Sequence, residues 1–188
     1  GIDGCGKTTV ATDIATRLKK LDIPVVVTAE PTDGSIGKKI QSILKHEISA
    51  PQDPADIQKL YIEDRLEHIK KVIAPALAKE KVVISQRYTL STYAYGMAFG
   101  VSAKDLKHDA LKPDATFLLD IPAETAVERI TGRGKALEYF EKLERLKKIR
   151  EQYLKLAKKK DLGKIIVIDA SVSSAAVVQR IWKMLNFE

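Results

Sequence analysis

Apolar residues in this 188-residue chain are distributed in two ways that alternate along its length. Four short runs are almost continuously apolar and β-branched: Val25 to Thr28, Val82 to Ser85, Thr116 to Asp120 and Lys164 to Asp169. Between them, apolar positions return every three or four residues. Val10, Ile14, Leu18 and Leu21 form one such stripe, with Lys and Arg late in the segment, and Phe140, Leu143, Ile149, Tyr153 and Ala157 form another. A repeat near 3.6 predicts amphipathic helices, whereas short runs without alternation predict strands covered on both faces. Strands alternating with helices in this manner predict an α/β fold, a parallel sheet with helices on both faces in three layers. No internal repeat, linker or low-complexity tract divides the chain, so residues 1–188 read as one domain.

Composition narrows the class without changing the picture. At 45% hydrophobic the chain can bury a proper core. Cys5 is the one cysteine, so no intrachain disulfide is possible and a reducing, cytoplasmic setting fits. No apolar run approaches the length of a membrane span, and no charged-then-apolar leader precedes Gly1. The net charge of +7 raises the question of nucleic acid, but its distribution answers it. Residues 133–160 hold eleven Lys/Arg against four Asp/Glu, and the rest of the chain is balanced. Most of that excess reads as the solvated side of an amphipathic helix, with few interleaved aromatics to stack on bases, so no nucleic-acid partner is expected.

The chemistry begins at the first residues. Gly1 to Thr9, GIDGCGKTT, fit the G-x-x-x-x-G-K-[ST] pattern of a phosphate-binding loop. Glycines at Gly1, Gly4 and Gly6 allow backbone N–H groups to converge on phosphate oxygens, and the helix that follows adds its dipole. Cys5 and Thr9 belong to the same cradle; Lys7 reaches the β- and γ-phosphates, and Thr8 offers a hydroxyl to Mg²⁺. Such a loop hangs from the end of a strand, and nothing precedes Gly1, so the first strand is expected to be missing from this sequence.

Four further stretches make the reading specific: TAEPTDGSIGKKI after the first apolar run, LYIEDRLEHIKKVIAPAL, SQRYTLSTYAYG, and LLDIPAETAVERITGRG. In this order and spacing they resemble the thymidylate kinases, P-loop nucleoside monophosphate kinases that phosphorylate dTMP with ATP. The resemblance covers Gly1 to about Trp182. It implies a homodimer that requires Mg²⁺, and a lid segment at about residues 130–142. It also implies roles: Arg87 grips the dTMP phosphate, Tyr61 stacks on thymine, and Arg65 bonds its exocyclic oxygen. Glu30 and Pro31 lie beside sugar and phosphate, Ser91 and Tyr95 make further nucleotide contacts, and Asp3 sits near the acceptor. Some relatives carry an arginine inside the loop; Gly4 aligns this chain with those that supply the catalytic cation from the lid, here Arg133, flanked by Gly132 and Gly134.

The chain also departs from the family pattern. The usual Asp-Arg-Tyr appears as Gln86-Arg87-Tyr88, removing a carboxylate from the Mg²⁺ and phosphate region. Gly96 stands where many relatives have glutamine, Glu138-Tyr139 replaces the lid's Asp-Arg, and Thr32 replaces a residue that helps hold the acceptor phosphate. Asp120 and Glu124, at the end of an apolar run and the start of a helix, could offer a nearby carboxylate, although Glu124 better fits a residue that favours the first helical turn. The alternatives left open are another nucleoside monophosphate kinase and a nucleotide-binding protein with disabled catalysis. A GTPase is disfavoured because no N-K-x-D motif appears.

Overall fold

The computed structural model describes residues 1–45, 53–132, 134, 137–159 and 161–186. The first helix, α1 (Lys7–Lys20), starts directly from the loop and buries Val10, Ala11, Ile14, Ala15 and Leu18. Its last turn carries Arg17, Lys19 and Lys20, which suit the negative end of the helix dipole. Leu21, expected on the apolar stripe, is instead the residue that closes the helix and is 51% exposed. The chain turns away there, with Asp22 in the left-handed region at φ 56°.

Strand β1 (Val25–Ala29) leads to α2 (Ser35–Lys45). Helix α3 (Pro54–His68) is capped by the Asp53 carboxylate, which accepts from the Ala55 amide at 2.8 Å, with Pro54 at the first position where its missing N–H costs nothing. A π turn, Ile69–Ile73, joins it to α4 (Ala74–Leu77), so the helical path is continuous into the turn before β2 (Val82–Gln86). Then come α5 (Thr89–Ala98), β3 (Thr116–Asp120), α6 (Ala123–Thr131), a 3₁₀ turn at Tyr139–Glu141, α7 (Leu143–Leu156), β4 (Ile165–Asp169) and α8 (Ser174–Leu185). The four strands lie where the apolar runs predict them, and the alternation of strand and helix makes this an α/β fold.

All strand pairs are parallel, but the described strands do not form one sheet. β1 pairs with β2, Val25 opposite Val82 through Ala29 opposite Gln86, and β3 pairs with β4, Thr116 opposite Ile165 through Asp120 opposite Asp169. Between the pairs runs the start of the loop. Gly1 lies so close to the Leu119 carbonyl that a Cβ there would stand 1.9 Å from its oxygen, and Ile2 is buried.

One hydrophobic cluster joins the pieces. Ile2, Val10, Ile14 and Leu18 meet Leu118, Leu119 and Ile168 of the β3–β4 pair, Leu146, Ile149, Tyr153 and Leu156 of α7, and Val177, Val178 and Ile181 of α8. On α7 the deepest residues are Leu146, Ile149, Tyr153 and Leu156, while Leu143 and Ala157, expected on the same face, are half-buried. Full burial of each aliphatic side chain stabilises by about 2 kcal/mol, well above the few tenths expected of the surface pairs Lys147–Glu144 and Lys155–Glu151. Apolar packing therefore sets the orientation of this basic helix. Among the described residues, no helix is long and apolar enough to cross a membrane.

Candidate active site

The loop is shaped by glycines at two positions where nothing else fits. Gly4 and Gly6 have φ of 79° and 91°, a region that side chains strain to enter. At Gly4 a Cβ would also sit 2.6 Å from the Ala126 carbonyl oxygen, so α6 walls off that side of the loop. Gly6 caps α1, whose first turn carries no acidic residue, leaving free N–H groups and a positive dipole end together. The Lys7 ammonium folds back over the loop, donating to the carbonyls of Ile2 (2.8 Å) and Gly1 (3.2 Å), and lies 3.6 Å from the Asp3 carboxylate. Cys5 anchors the loop in the core, and Thr9 is exposed. The Thr8 hydroxyl donates to the Gln86 amide oxygen at 2.7 Å, tying loop to strand end.

Just past β2, Arg87 has φ 69°, an uncommon left-handed backbone held by a hydrogen bond from Ser85 Oγ to its carbonyl at 2.8 Å. This turn aims the guanidinium back at the loop. Its Nη2 donates to one Asp3 oxygen and its Nη1 to the Tyr95 hydroxyl at 3.0 Å, while that hydroxyl donates to the other Asp3 oxygen at 2.9 Å. Burial resists the charge of Asp3, but Arg87 and Lys7, with the Tyr95 hydrogen bond, hold its carboxyl well below the usual carboxylate range. Burial likewise opposes the charge of Arg87, and Asp3 outweighs it, so the guanidinium stays ionised. Burial lifts the Tyr61 and Tyr95 phenols, which line the site as neutral groups, and pushes Tyr153, in the core behind them, up to about 12.

Helix α3 supplies the opposite wall. The residues on its inward face are Ile57, Gln58, Asp64, Arg65 and His68, with Tyr61 half-buried between them, so most of this helix's core contact is polar. Such a face must be hydrogen-bonded across to other elements. Arg65, 1% exposed, donates to Glu30 at 2.5 Å from Nη2 and to Thr92 at 2.8 Å from Nη1, which also lies 3.1 Å from His108 Nε2. Its guanidinium lies over the Tyr88 ring, 5.0 Å from the centroid. Glu30 spends its second oxygen on His68 Nδ1 at 3.1 Å, and His68 Nε2 meets the Thr28 hydroxyl at 2.6 Å. A ring protonated on Nδ1 satisfies both partners. Burial, supported by the Arg65 charge, holds the His108 pKa below its ordinary value. Asp64 accepts from the Thr32 amide and hydroxyl at 2.8 and 2.6 Å, fixing the segment after Pro31.

These walls line two spaces that share four residues. A cleft of about 360 Å³ runs from Asp3 and Arg87 past Tyr61, Tyr95 and Pro31 to Glu138, Phe140 and Glu141. A small cavity of about 10 Å³ lies beside it between Gln58, Tyr61, Arg65, Ser91 and Thr92, sharing Glu30, Tyr61, Arg87 and Tyr95 with the cleft. A phosphate loop at one end, a buried arginine with an aromatic at the other and a second arginine between them suit two anionic ligands facing each other.

Comparison with known proteins decides the family. The family model for thymidylate kinase matches residues 1–181. A probable thymidylate kinase of Thermococcus onnurineus is 40% identical over 92% of this chain and 88% of its own length. One from Archaeoglobus fulgidus is 38% identical over 99% and 92%, and the thymidylate kinase of Xanthomonas euvesicatoria is 38% identical over 96% and 78%.

The chain belongs to the thymidylate kinase family. It is thus a phosphotransferase of the dTMP kinase class, with ATP as phosphoryl donor. In this thymidylate kinase the loop residues Gly1, Gly4, Cys5, Gly6, Lys7, Thr8 and Thr9 lie at one end of the site. Asp3, Arg87 and Tyr95 form its middle, and Glu30, Tyr61 and Arg65 lie at the other end. Pro31 lines the large cleft, after a cis Glu30–Pro31 peptide, and Ser91 lines the small cavity, accepting from the Tyr153 hydroxyl at 2.8 Å. Glu30 is nevertheless engaged on both oxygens, so in this arrangement it orients Arg65. Arg133 lies outside the described residues. The acidic groups considered as substitutes for the carboxylate missing at Gln86 are occupied elsewhere: Asp120 holds Arg150 through two bonds of 2.7 and 2.9 Å, and Glu124 pairs with Lys147 at 3.2 Å.

Among the described residues no group of three His, Cys, Asp or Glu could hold a metal ion. The oxygens of Thr8 and Gln86 at the mouth of the loop are hard neutral donors, which fits a hydrated Mg²⁺ carried mainly by nucleotide phosphates. Several site residues carried no sequence signal strong enough to single them out: Gln58, Asp64, His68, Thr92 and His108. The first three share the helical face of Tyr61 and Arg65, so their spacing was a usable clue once those two were placed.

Proposed function

We propose that this thymidylate kinase transfers the γ-phosphoryl group of ATP to dTMP, with the donor's phosphates on the Gly1–Thr9 loop and the acceptor in the cleft between Arg87 and Tyr61. The observation that carries this reading is the Asp3–Arg87–Tyr95 network, which stands between Lys7 and the polar face of α3. Phosphoryl transfer needs little covalent help from a protein; it needs reactants in line and charge stabilised where it moves. Loop N–H groups and Lys7 hold the β- and γ-phosphates. Arg87, half-buried and always charged, draws the acceptor phosphate toward them, and Asp3 keeps its fork oriented. Tyr61 covers one face of the thymine and Arg65 bonds its exocyclic oxygen. Mg²⁺, when bound near Thr8 and Gln86, neutralises phosphate charge. Arg133, between two glycines in the 130–142 lid, supplies the further cation over the triphosphate. A coupled ADP-release assay with dTMP, dUMP, AMP and CMP tests the reading. Turnover with dTMP at least tenfold above the others supports it, and equal use of AMP refutes it.

Gln86 favours a second reading, a family member that binds nucleotides but turns them over slowly. An amide supports the Thr8 hydroxyl but brings no charge to a metal's water shell. Loss of such a carboxylate costs about 2–4 kcal/mol of barrier, on the order of a hundredfold in rate. The protein functions as a homodimer in this proposal. Leu66, Val72 and Leu77, 46%, 37% and 48% exposed along the continuous α3–α4 path, provide an apolar strip for a second copy. Sedimentation of Leu66→Glu decides it: a monomer is expected, and an unchanged mass removes this face. The same proposal puts the protein in a reducing, cytoplasmic setting, with which the free, buried Cys5 is consistent.

A further inference from the structure

The polar groups around the small cavity do not all cancel. Among the described residues, three buried side-chain atoms lack a hydrogen-bond partner: Gln58 Oε1, Arg65 Nε and the Tyr88 hydroxyl. Two of the three belong to side chains lining the cavity beside Tyr61, and both residues are almost wholly buried, Gln58 2% exposed and Arg65 1%. Buried acceptors and donors left open forfeit their hydration with nothing in exchange, so their pairing is an unclaimed gain for any group that fits.

The two atoms have opposite character. Arg65 Nε carries a hydrogen and can only donate, whatever the pH; Gln58 Oε1 can only accept. The rest of Arg65 is already committed to Glu30, Thr92 and His108, which leaves this edge as the one it offers the cavity. Gln58 can come this close to α5 because Gly96 has no side chain. A Cβ at 96 would stand 3.3 Å from Gln58 Cγ and 2.7 Å from a Leu106 methyl. At about 10 Å³ the cavity admits only the edge of a ring whose body lies against Tyr61 in the larger cleft.

We propose that Gln58 is a specificity-determining residue that accepts a hydrogen bond from the imide N3–H of the acceptor's pyrimidine, beside the O4 bonded by Arg65. The inference rests on the placement of the acceptor's base between Tyr61 and Arg65. Thymine and uracil present a carbonyl acceptor next to an N–H donor, complementary to this donor–acceptor pair. Cytosine presents an amino donor next to a ring-nitrogen acceptor, the reverse order. The amide of Gln58 can rotate to follow, but the guanidinium cannot become an acceptor, so the pair rejects cytosine.

The test uses Gln58→Met, which keeps length and removes the amide, and thymidine monophosphate methylated at N3. Gln58→Met is expected to raise the KM for dTMP about tenfold with kcat within twofold. The N3-methyl analogue is expected to bind the wild-type protein at least tenfold more weakly than dTMP, and that penalty is expected to shrink severalfold in Gln58→Met. A KM unchanged within twofold, or a methyl penalty of the same size in both proteins, overturns the proposal; a change confined to packing would not couple to the methyl group. Arg65→Lys separates the two levels. If it raises the KM while Gln58→Met does not, the base is where it was placed and Gln58 does not read it; if neither moves the KM, the base lies elsewhere. Should Gln58→Met fail to fold, the Gln58 side-chain amide resonances of the wild-type protein decide the matter. They are expected to shift on saturation with dTMP and not with the N3-methyl analogue, and identical spectra refute the inference.

Discussion

The two ends of the proposed site are built by opposite means. At the proposed donor end nine consecutive residues make the loop, and the groups it offers are mostly backbone N–H at a helix start, so the chemistry is local. At the acceptor end the groups are side chains: Arg65 from α3, Glu30 after β1, Thr92 from α5 and His108 from the segment beyond it, each holding the next. A local cradle tolerates change in its surroundings but not in its own residues. A network assembled across elements transmits every loss to its partners, because each buried polar group depends on another for its pairing. Arg87 and Asp3 join the two ends and share both properties.

The largest effect expected from this contrast is at the donor end. Lys7→Ala should lower kcat by at least a thousandfold in steady-state assays with little change in melting temperature, since the ammonium bonds only within the loop, to two carbonyls and the Cys5 sulfur, and faces Asp3. Intact turnover would place the phosphates elsewhere. Gln86→Asp follows, with an expected rise in kcat of tenfold to a hundredfold; an unchanged rate would show that the amide beside Thr8 does not limit the reaction. At the acceptor end, Glu30→Gln should raise the KM for dTMP about tenfold and destabilise the fold by about 3 kcal/mol in denaturant titrations, because Arg65 loses its ionic partner. A change in KM alone would make Glu30 a contact rather than a positioning residue.

The smallest effect is a pH signature of the group that bridges the ends. The folded-state pKa of Asp3 is lowered relative to its ordinary value, so its pairing with Arg87 stabilises while the carboxylate is ionised. That contribution is complete above about pH 5 and is lost as pH falls through the acid range below the ordinary carboxylate pKa of about 3.9. Asp3→Asn should therefore melt lower than the wild-type protein by a constant margin from pH 5 to 8, equivalent to about 2 kcal/mol, and the margin should close toward pH 3. A gap that persists in acid would mean that geometry, not charge, holds Arg87.

Some of this was legible in the residues alone. The four strands fall on their apolar runs because a strand buried on both faces leaves no polar alternation to confuse it. The stripe of α1 was readable except at Leu21, where the helix ends one residue early. Arg87 was placed past a strand end, although nothing local announces the left-handed turn that points it at Asp3. The polar face of α3 was harder to read. Gln58, Asp64, Arg65 and His68 at helical spacing look like a solvated surface, and only their neighbours show that this is the buried side. Of the described basic residues after Lys142, Lys147, Lys148, Lys155, Lys158 and Lys159 are exposed as expected of a solvated face, yet Arg150 and Arg145 turned out to brace Asp120 and Tyr139.

By itself the sequence determined the elements, the glycine loop that opens α1 and the family, because each depends on residues near one another along the chain: periodicity, glycine at forced dihedrals, a lysine and a hydroxyl at a helix start. Only the tertiary structure decided that the strands pair two by two and that Glu30 serves Arg65. It also showed Asp120 committed to Arg150, and Gln58 and Arg65 each left with one open atom beside the same cavity. Those outcomes depend on which groups meet across the fold, and a buried polar atom acquires its meaning from whether a partner arrives.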